Sequence, residues 1–347
     1  MEKGCIIKRD SDGKTEKYPL FESKIGEVIL KSGNMVSTGV LSALGFWEID
    51  VLVTTRNGYP IAILKNLEDD SHVKTRLCQY EALKNDKGNY LARRFVLAKI
   101  EGQNLLLKKY SMTSDVFENQ KVNDIEESDL KALKKRLLGL EGKSSEKYFR
   151  QIFRLIKEEL RPNKRVGFKA YDGMNNVFNL AYTFLFWKCY KALVKAHLEP
   201  YLGFLHQMQY GRPSLVCDFV ELYRYLIDDF VIQYCQKLKP RDFAAKTETF
   251  NSKKGKRIYL KRPLMNDLTD KLNAYFGEKV DVARVNFGKK QELESLIEEE
   301  ANLLGRYLRN EKKSWKPRIA LPTRALQMHQ GAPHRSLRKI MLETYQR

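Results

Sequence analysis

Three acidic side chains and one histidine are the residues of this chain whose types and spacing could support metal-assisted chemistry. The stretch GFLHQMQYGRPSLVCDFVELYRYL, Gly203 to Leu226, puts His206 ahead of a Gly-Arg-Pro turn, then Asp218 and Glu221 three positions apart. Residues three apart on a helix are neighbours, so the two carboxylates repel unless a cation or a basic partner sits between them. A solvated acidic face at the favourable end of a helix accounts for them as well. His206 is one of five histidines and the one just upstream of paired acids, yet its apolar YLGFLH setting also suits a hydrogen-bonded core residue. A third ligand has to come from elsewhere. Glu141, in LLGLEGKSSEKYFRQIF, is the candidate, although an acid complementing a helix dipole would look the same. Spacing by itself does not choose between these readings.

The elements that must position these groups follow from hydrophobic period. Pro213 suits a first helical turn, where its missing N–H is not needed. A helix from there buries Val216, Phe219, Val220, Tyr223, Leu226, Ile227 and Phe230, with Asp218, Glu221 and Asp228 on or near another side. If a helix runs through Glu141, then Ser145, Tyr148 and Phe149 share its side. Helical spacing also marks VKTRLCQYEAL, YLARRFVLAKIEGQNLLLKKY and DLKALKKRLLGL, with Ser128 as an N-cap. The run VFNLAYTFLFWKCYKALV carries Asn179, Lys188 and Lys191, which a membrane span of about 20 residues seldom tolerates, so it reads as a buried helix. Ahead of Ser71, KIGEVILKSGNMVS and EIDVLVTTRNGYPIAIL each read as strand, turn, strand, and Asn57-Gly58 suits a type I′ hairpin. The expected fold class is α+β: a small N-terminal β-sheet or sandwich domain over 1–70, then a larger all-α domain over 71–347 with a basic tail.

Composition narrows the partners. Lys and Arg total 63 against 43 for Asp and Glu, a formal charge of +20 whose field attracts polyanions, nucleic acid first among them. A basic surface kept for solubility or for an acidic protein is the plainer alternative. Five scattered cysteines with no Cys-x-x-Cys pair make neither a disulfide framework nor a zinc knuckle and imply a reducing compartment. MEKGCIIKRD lacks the apolar region of a signal peptide, so a cytoplasmic protein without a membrane partner is expected.

Taken together, GLEGKSSEKYF, DGMNNVFNLAYTFLF and LEPYLGFLHQMQYGRPSLVCDFVELYR, in this order and separation, resemble the CRISPR-associated spacer-acquisition integrase family often called Cas-one. The likeness extends more loosely through the front half. It implies a β domain that mediates homodimerisation and a helical catalytic domain in which a glutamate, a histidine and an acid on the following helix hold Mg²⁺ or Mn²⁺. These map to Glu141, His206 and Glu221, with Asp218 as a second acid of the catalytic set. Asp172 and Asn175 match a further motif lining the site, with Gly173 where proline is usual, and Tyr148 and Tyr182 match motif positions whose plainer role is helix packing; Asp172, Asn175 and Tyr148 are also candidates for contacting DNA. The implied activity is insertion of a spacer duplex into a CRISPR array by attack of its 3′-hydroxyl on the repeat phosphodiester. The implied partners are a small Cas-two protein and DNA, including leader, repeat and branched forms. Arg212, Lys134, Lys135, Arg136 and the tail after Arg306 are candidates for the DNA backbone. A transposon-related or general metal-dependent nuclease of the same fold, and a non-enzymatic nucleic-acid scaffold, are the alternatives.

Overall fold

The computed structural model describes residues 5–9, 13–20, 25, 27–55, 60–64, 73–112, 120–127, 129–167, 170–250, 253–282 and 290–322. The chain divides into two compact units, Met1–Ser71 and His72–Arg347. In the first, β1 (Cys5–Arg9) and β2 (Thr15–Pro19) pair antiparallel. A second sheet has the order β3 (Glu27–Lys31), β4 (Asp50–Thr54), β5 (Pro60–Leu64), with β3 parallel and β5 antiparallel to β4. Asn57-Gly58 lies outside the described residues. The parallel pairing requires a crossover, and here the expectation of strand, turn, strand over KIGEVILKSGNMVS fails. Among the described residues only one strand forms there, and the chain then enters helix α1 (Thr38–Phe46), where Ser37 Oγ accepts the Val40 N–H. Leu20, Leu44, Ile49 and Val51 make a small core between sheet and helix.

The second unit is built on long helices. Asn85 caps α3 (Asp86–Lys109), which follows α2 (Val73–Ala82) and precedes the one-turn α4 (Gln120–Asn123). Asp129, rather than Ser128, caps α5 (Leu130–Ile152), its Oδ2 accepting the Ala132 N–H at 2.8 Å; Ser128 is outside the described residues. The apolar run with Lys188 and Lys191 is α6 (Gly173–Lys195), whose Met174, Phe178, Tyr182, Leu185 and Cys189 are buried. Among the described residues no helix is long and apolar enough to cross a membrane. The helix expected from Pro213 through Phe230 is two helices, α7 (Ser214–Val220) and α8 (Arg224–Cys235), broken at Tyr223 with φ −126° and ψ 0°, and Pro213 is the residue before α7. The unit is mostly helical, as expected, and carries two small sheets besides. A two-stranded antiparallel ribbon, β6 (Phe243–Phe250) and β7 (Lys253–Leu260), leads into α9 (Arg262–Phe276). A three-stranded sheet of β8 (Lys279–Val282), β9 (Lys290–Glu292) and β10 (Ala320–Pro322) flanks α10 (Leu293–Leu308). One contiguous core runs through Phe95, Leu137, Phe178, Phe219, Leu226, Ile297 and Trp315.

Candidate active site

Glu141 lies in the middle of α5, and Ser145, one turn later on the same side, donates to its Oε1 at 2.7 Å. Across from it α3 presents Lys99, which lies on the buried stripe of Leu91, Phe95, Gly102 and Leu106 and is itself only 6% exposed. The Lys99 ammonium pairs with Glu141 Oε1 and stands 2.6 Å from Glu221 Oε2. Glu221, at the end of α7, places its other oxygen 2.6 Å from Arg224 Nη1. Two carboxylates from separate helices thus converge on one cation. Burial would raise the Glu221 carboxyl, but Arg224 and Lys99 outweigh it and hold it at about 2, so this group stays ionised.

Asp218 does something else. It is fully buried, and its Oδ2 accepts the N–H groups of Phe204 at 2.6 Å and Leu205 at 2.9 Å, while Oδ1 accepts the His206 N–H at 2.8 Å. The alternative of a solvated acidic face is therefore corrected, since Asp218 and Glu221 are both buried. The helix ends at Val220, and three successive amides are a better partner for a carboxylate than solvent or a shared cation. Gly203 makes room for this, since a Cβ there would fall 2.8 Å from Asp218 Oδ2. His206 Nδ1 also lies 2.7 Å from Asp218 Oδ1. With its proton on Nδ1, the ring keeps Nε2 as its donor atom, the arrangement by which carboxylates orient metal-binding histidines.

Among the described residues no three of His, Cys, Asp or Glu stand close enough together to hold a metal ion. Lys99 occupies the position between the two glutamates. The chemistry of the donors nonetheless suits a divalent cation: Glu141 and Glu221 point at a common centre, Glu221 Oε2 accepts no directed hydrogen bond, and His206 is already oriented.

The nucleic-acid candidates separate on burial. Lys135 and Arg136 are exposed on α5, whereas Lys134 is buried and donates to the Gly203 carbonyl at 3.0 Å, with burial lowering its pKa. It props the loop that carries His206. Arg212 is half-buried beside Cys217 in the turn closed by the Arg212 N–H to Gln209 carbonyl bond. Three others are engaged within the unit. Asp172 caps α6, accepting the Asn175 N–H and side-chain amide at 2.7 Å each, and Asn175 is fully buried, binding the Lys164 carbonyl and Arg165. Tyr148 is fully buried and donates to Asp228 Oδ2 at 2.8 Å. Tyr182 donates to Asp228 Oδ1, under Arg224, whose guanidinium lies 4.3 Å from the Tyr182 ring centre. Of the tail after Arg306, residues 323–347 lie outside the described residues.

Lys99, Arg224 and Asp228 complete the site and escaped the sequence reading. They line one small pocket together with Gln103, Phe149, Glu221 and Tyr225. For Lys99 a signal existed: a lysine on the apolar stripe of a helix needs an interior partner.

Residues 1–270 match the family described as CRISPR associated protein Cas1. A relative named CRISPR-associated endonuclease Cas1 2, from Pyrobaculum aerophilum, is 31% identical over 247 residues, covering 69% of this chain and 79% of its own. Two solved structures share the fold. A casposase bound to integration product superposes with a TM-score of 0.69 at 20% identity, over 91% of this chain and 89% of that one. A Cas6-RT-Cas1–Cas2 complex superposes with a TM-score of 0.69 at 19% identity, over 94% of this chain and 35% of that one. The chain therefore belongs to the Cas1 family.

Proposed function

We propose that this chain is a divalent-metal-dependent DNA integrase that inserts spacer DNA into a CRISPR array. The observation that carries the reading is the convergence of Glu141 and Glu221, from different helices, on one cation position, with the His206 ring held by Asp218. These three residues would hold Mg²⁺ or Mn²⁺. Bound there, the ion would stabilise the charge that develops on the scissile phosphate and on the entering and leaving oxygens. Asp218 holds the His206 ring and the loop beneath it, and Lys99, displaced from between the glutamates, keeps a positive charge beside a phosphate. The entering group is the 3′-hydroxyl of the spacer: a new 3′-O–P bond forms, one P–O bond of the repeat breaks, and the target 3′-oxygen leaves with a proton. The number of phosphodiesters is unchanged, and no side-chain nucleophile is required.

The names of the relatives, an endonuclease, a casposase with its integration product and a complex containing Cas2, support DNA as substrate and Cas2 as partner. Exposed Ile29, Phe46, Ile61 and Leu64 on the first unit support a homodimer formed through it. The deciding experiment supplies the protein with a short duplex, Cas2, Mn²⁺ or Mg²⁺, and a plasmid bearing leader and repeat. The duplex should join at the repeat boundary, and 3′-deoxy ends should abolish joining. Glu141→Gln should lower joining by roughly three orders of magnitude while leaving the melting transition in place, the scale of losing metal-borne charge stabilisation. Joining that survives without a 3′-hydroxyl rejects transesterification, and nicking alone with every target and metal replaces integrase by nuclease.

A further inference from the structure

After α10 the chain returns along the helices that carry the site. Trp315, Pro317 and Ile319 are buried and Lys316 between them is exposed, the alternation of an extended segment packed on one side. At Ala320 it becomes β10, pairing with Val282 of β8. Trp315 to Ala320 lies beyond residues 1–270, the part of the chain that matches the family.

This strap touches both α3 and α8. On α3, the Trp315 ring packs on Phe95 with centres 5.1 Å apart, and the Trp315 carbonyl accepts the Tyr90 hydroxyl at 2.9 Å. Phe95 is one turn before Lys99 on the same buried stripe. On α8, the Tyr225 hydroxyl accepts the Ala320 N–H at 2.8 Å and donates to the Ala320 carbonyl. Tyr225 follows Arg224 directly and lines the pocket with Lys99 and Glu221. Gly102 of α3 leaves room for the Tyr225 ring, which a Cβ there would strike. Between these anchors Arg318 fixes the strap to α10. Its Nε stands 2.7 Å from Oε2 of the fully buried Glu300, and its Nη1 2.8 Å from Glu299 Oε2.

Glu221 needs such support because it sits in a break. α7 ends at Val220 and α8 begins at Arg224, so a continuous helix does not fix where the Glu221 side chain points. The two-way bond from Tyr225 to Ala320 pins the first turn of α8, while Trp315 pins α3 to the same strap. A segment that only covered apolar surface would need Trp315 and Ile319, but neither that bond nor a buried ion pair.

We infer that Trp315–Ala320 is a brace that holds the α7–α8 break against α3, making Tyr225 and Arg318 positioning residues for Glu221. This rests on the reading that Glu221 helps to hold a divalent ion.

Two measurements on the full chain test it, one with Mn²⁺ and one without. In calorimetric titration Tyr225→Phe should weaken Mn²⁺ binding about tenfold. Tyr234→Phe is the control, since it removes another α8 hydroxyl, bonded to the Leu264 carbonyl at 2.9 Å near the far end of the helix. It should leave Mn²⁺ affinity within about twofold of wild type. Without metal, hydrogen exchange of the amides of residues 219–226 should be about tenfold faster in Tyr225→Phe and unchanged around Glu141. Should wild type take up no Mn²⁺, the metal reading fails and exchange alone judges the brace. Unchanged exchange at the break, unaltered Mn²⁺ affinity in Tyr225→Phe beside a wild type that binds the ion, or equal losses of affinity in both tyrosine variants each overturn it. Should Tyr225→Phe fold poorly, Glu300→Gln with Arg318→Met, which leaves neither charge buried alone, decides by the same two readings.

Discussion

Glu221 and Asp228 line the same small pocket and are both buried, yet their carboxyls are shifted in opposite directions. Burial pushes each carboxyl up. For Glu221 the opposing partners are two cations, Arg224 and Lys99, and the group ends at about 2. For Asp228 the close partners are the hydroxyls of Tyr182 and Tyr148, with Arg224 and Arg165 further away, and burial prevails, leaving it at about 6. Burial by itself therefore does not set ionisation; a full charge within contact does, and a neutral donor only moderates the shift. One end of the pocket faces cations, while the other locks α5, α6 and α8 together through a carboxyl that accepts from Tyr148 and Tyr182.

The largest test of this contrast removes the cation. Lys99→Met leaves Glu141 and Glu221 facing each other without compensation and should cost about 3–5 kcal/mol by chemical denaturation. Mn²⁺ should then raise the melting temperature of the variant more than that of wild type, because the ion binds only the folded state and no longer competes with an ammonium. An unchanged melting point in metal-free buffer would show that Lys99 is not the counter-ion described here.

Next in size is the pH dependence of Asp228. A raised folded-state pKa means that the folded chain holds this proton more tightly than the unfolded chain. Stability from this group is complete below the ordinary value of 3.8 and is lost as pH rises through about 6, a loss of about 3 kcal/mol for a shift of roughly two units. Asp228→Asn should therefore gain on wild type as pH rises from about 4 to 7 and stay level beyond. A stability difference that does not vary with pH would place the Asp228 carboxyl in the ordinary carboxylate range and erase the contrast with Glu221.

Asp218→Asn probes a third solution, a carboxylate satisfied by its own loop. Loss of charge-assisted bonds to Phe204, Leu205 and His206 should cost about 2 kcal/mol. It should also weaken Mn²⁺ binding by about 10–100-fold in calorimetric titration, through the His206 ring. Unaltered metal affinity would detach Asp218 from the site. The smallest effect belongs to Tyr148→Phe, which removes one neutral donor at a cost of about 1 kcal/mol and should move the Asp228 transition to higher pH. A transition moving to lower pH would show that Tyr148 does not stabilise the carboxylate.

Much of the site was legible in local pattern. The apolar period announced α5 and α6, and a histidine preceding two spaced acids drew the eye to His206, Asp218 and Glu221. What the pattern could not show was direction. Asp218 and Glu221 sit three apart, yet one turns to the backbone of residues 204–206 and the other to α3, because the helix stops between them. Tyr148 and Asn175, expected near DNA, point inward, and Lys134 left its basic neighbours to hold Gly203. Which groups Lys99 and Asp228 would meet was not legible, since Glu141 and Tyr182 are 42 and 46 residues away from them in sequence.

The amino-acid sequence by itself determined the charge of the chain, the two-part organisation by hydrophobic period, the buried character of α6 and the set of residue types able to hold a cation. The tertiary structure decided which of those residues face one another. A helix period places a side chain on a stripe; only the packing of α3, α5 and the α7–α8 break says what lies opposite. In a buried pocket the partner opposite sets how readily an acid ionises: cations beside Glu221 lower its carboxyl, and the hydroxyls beside Asp228 only moderate what burial raises.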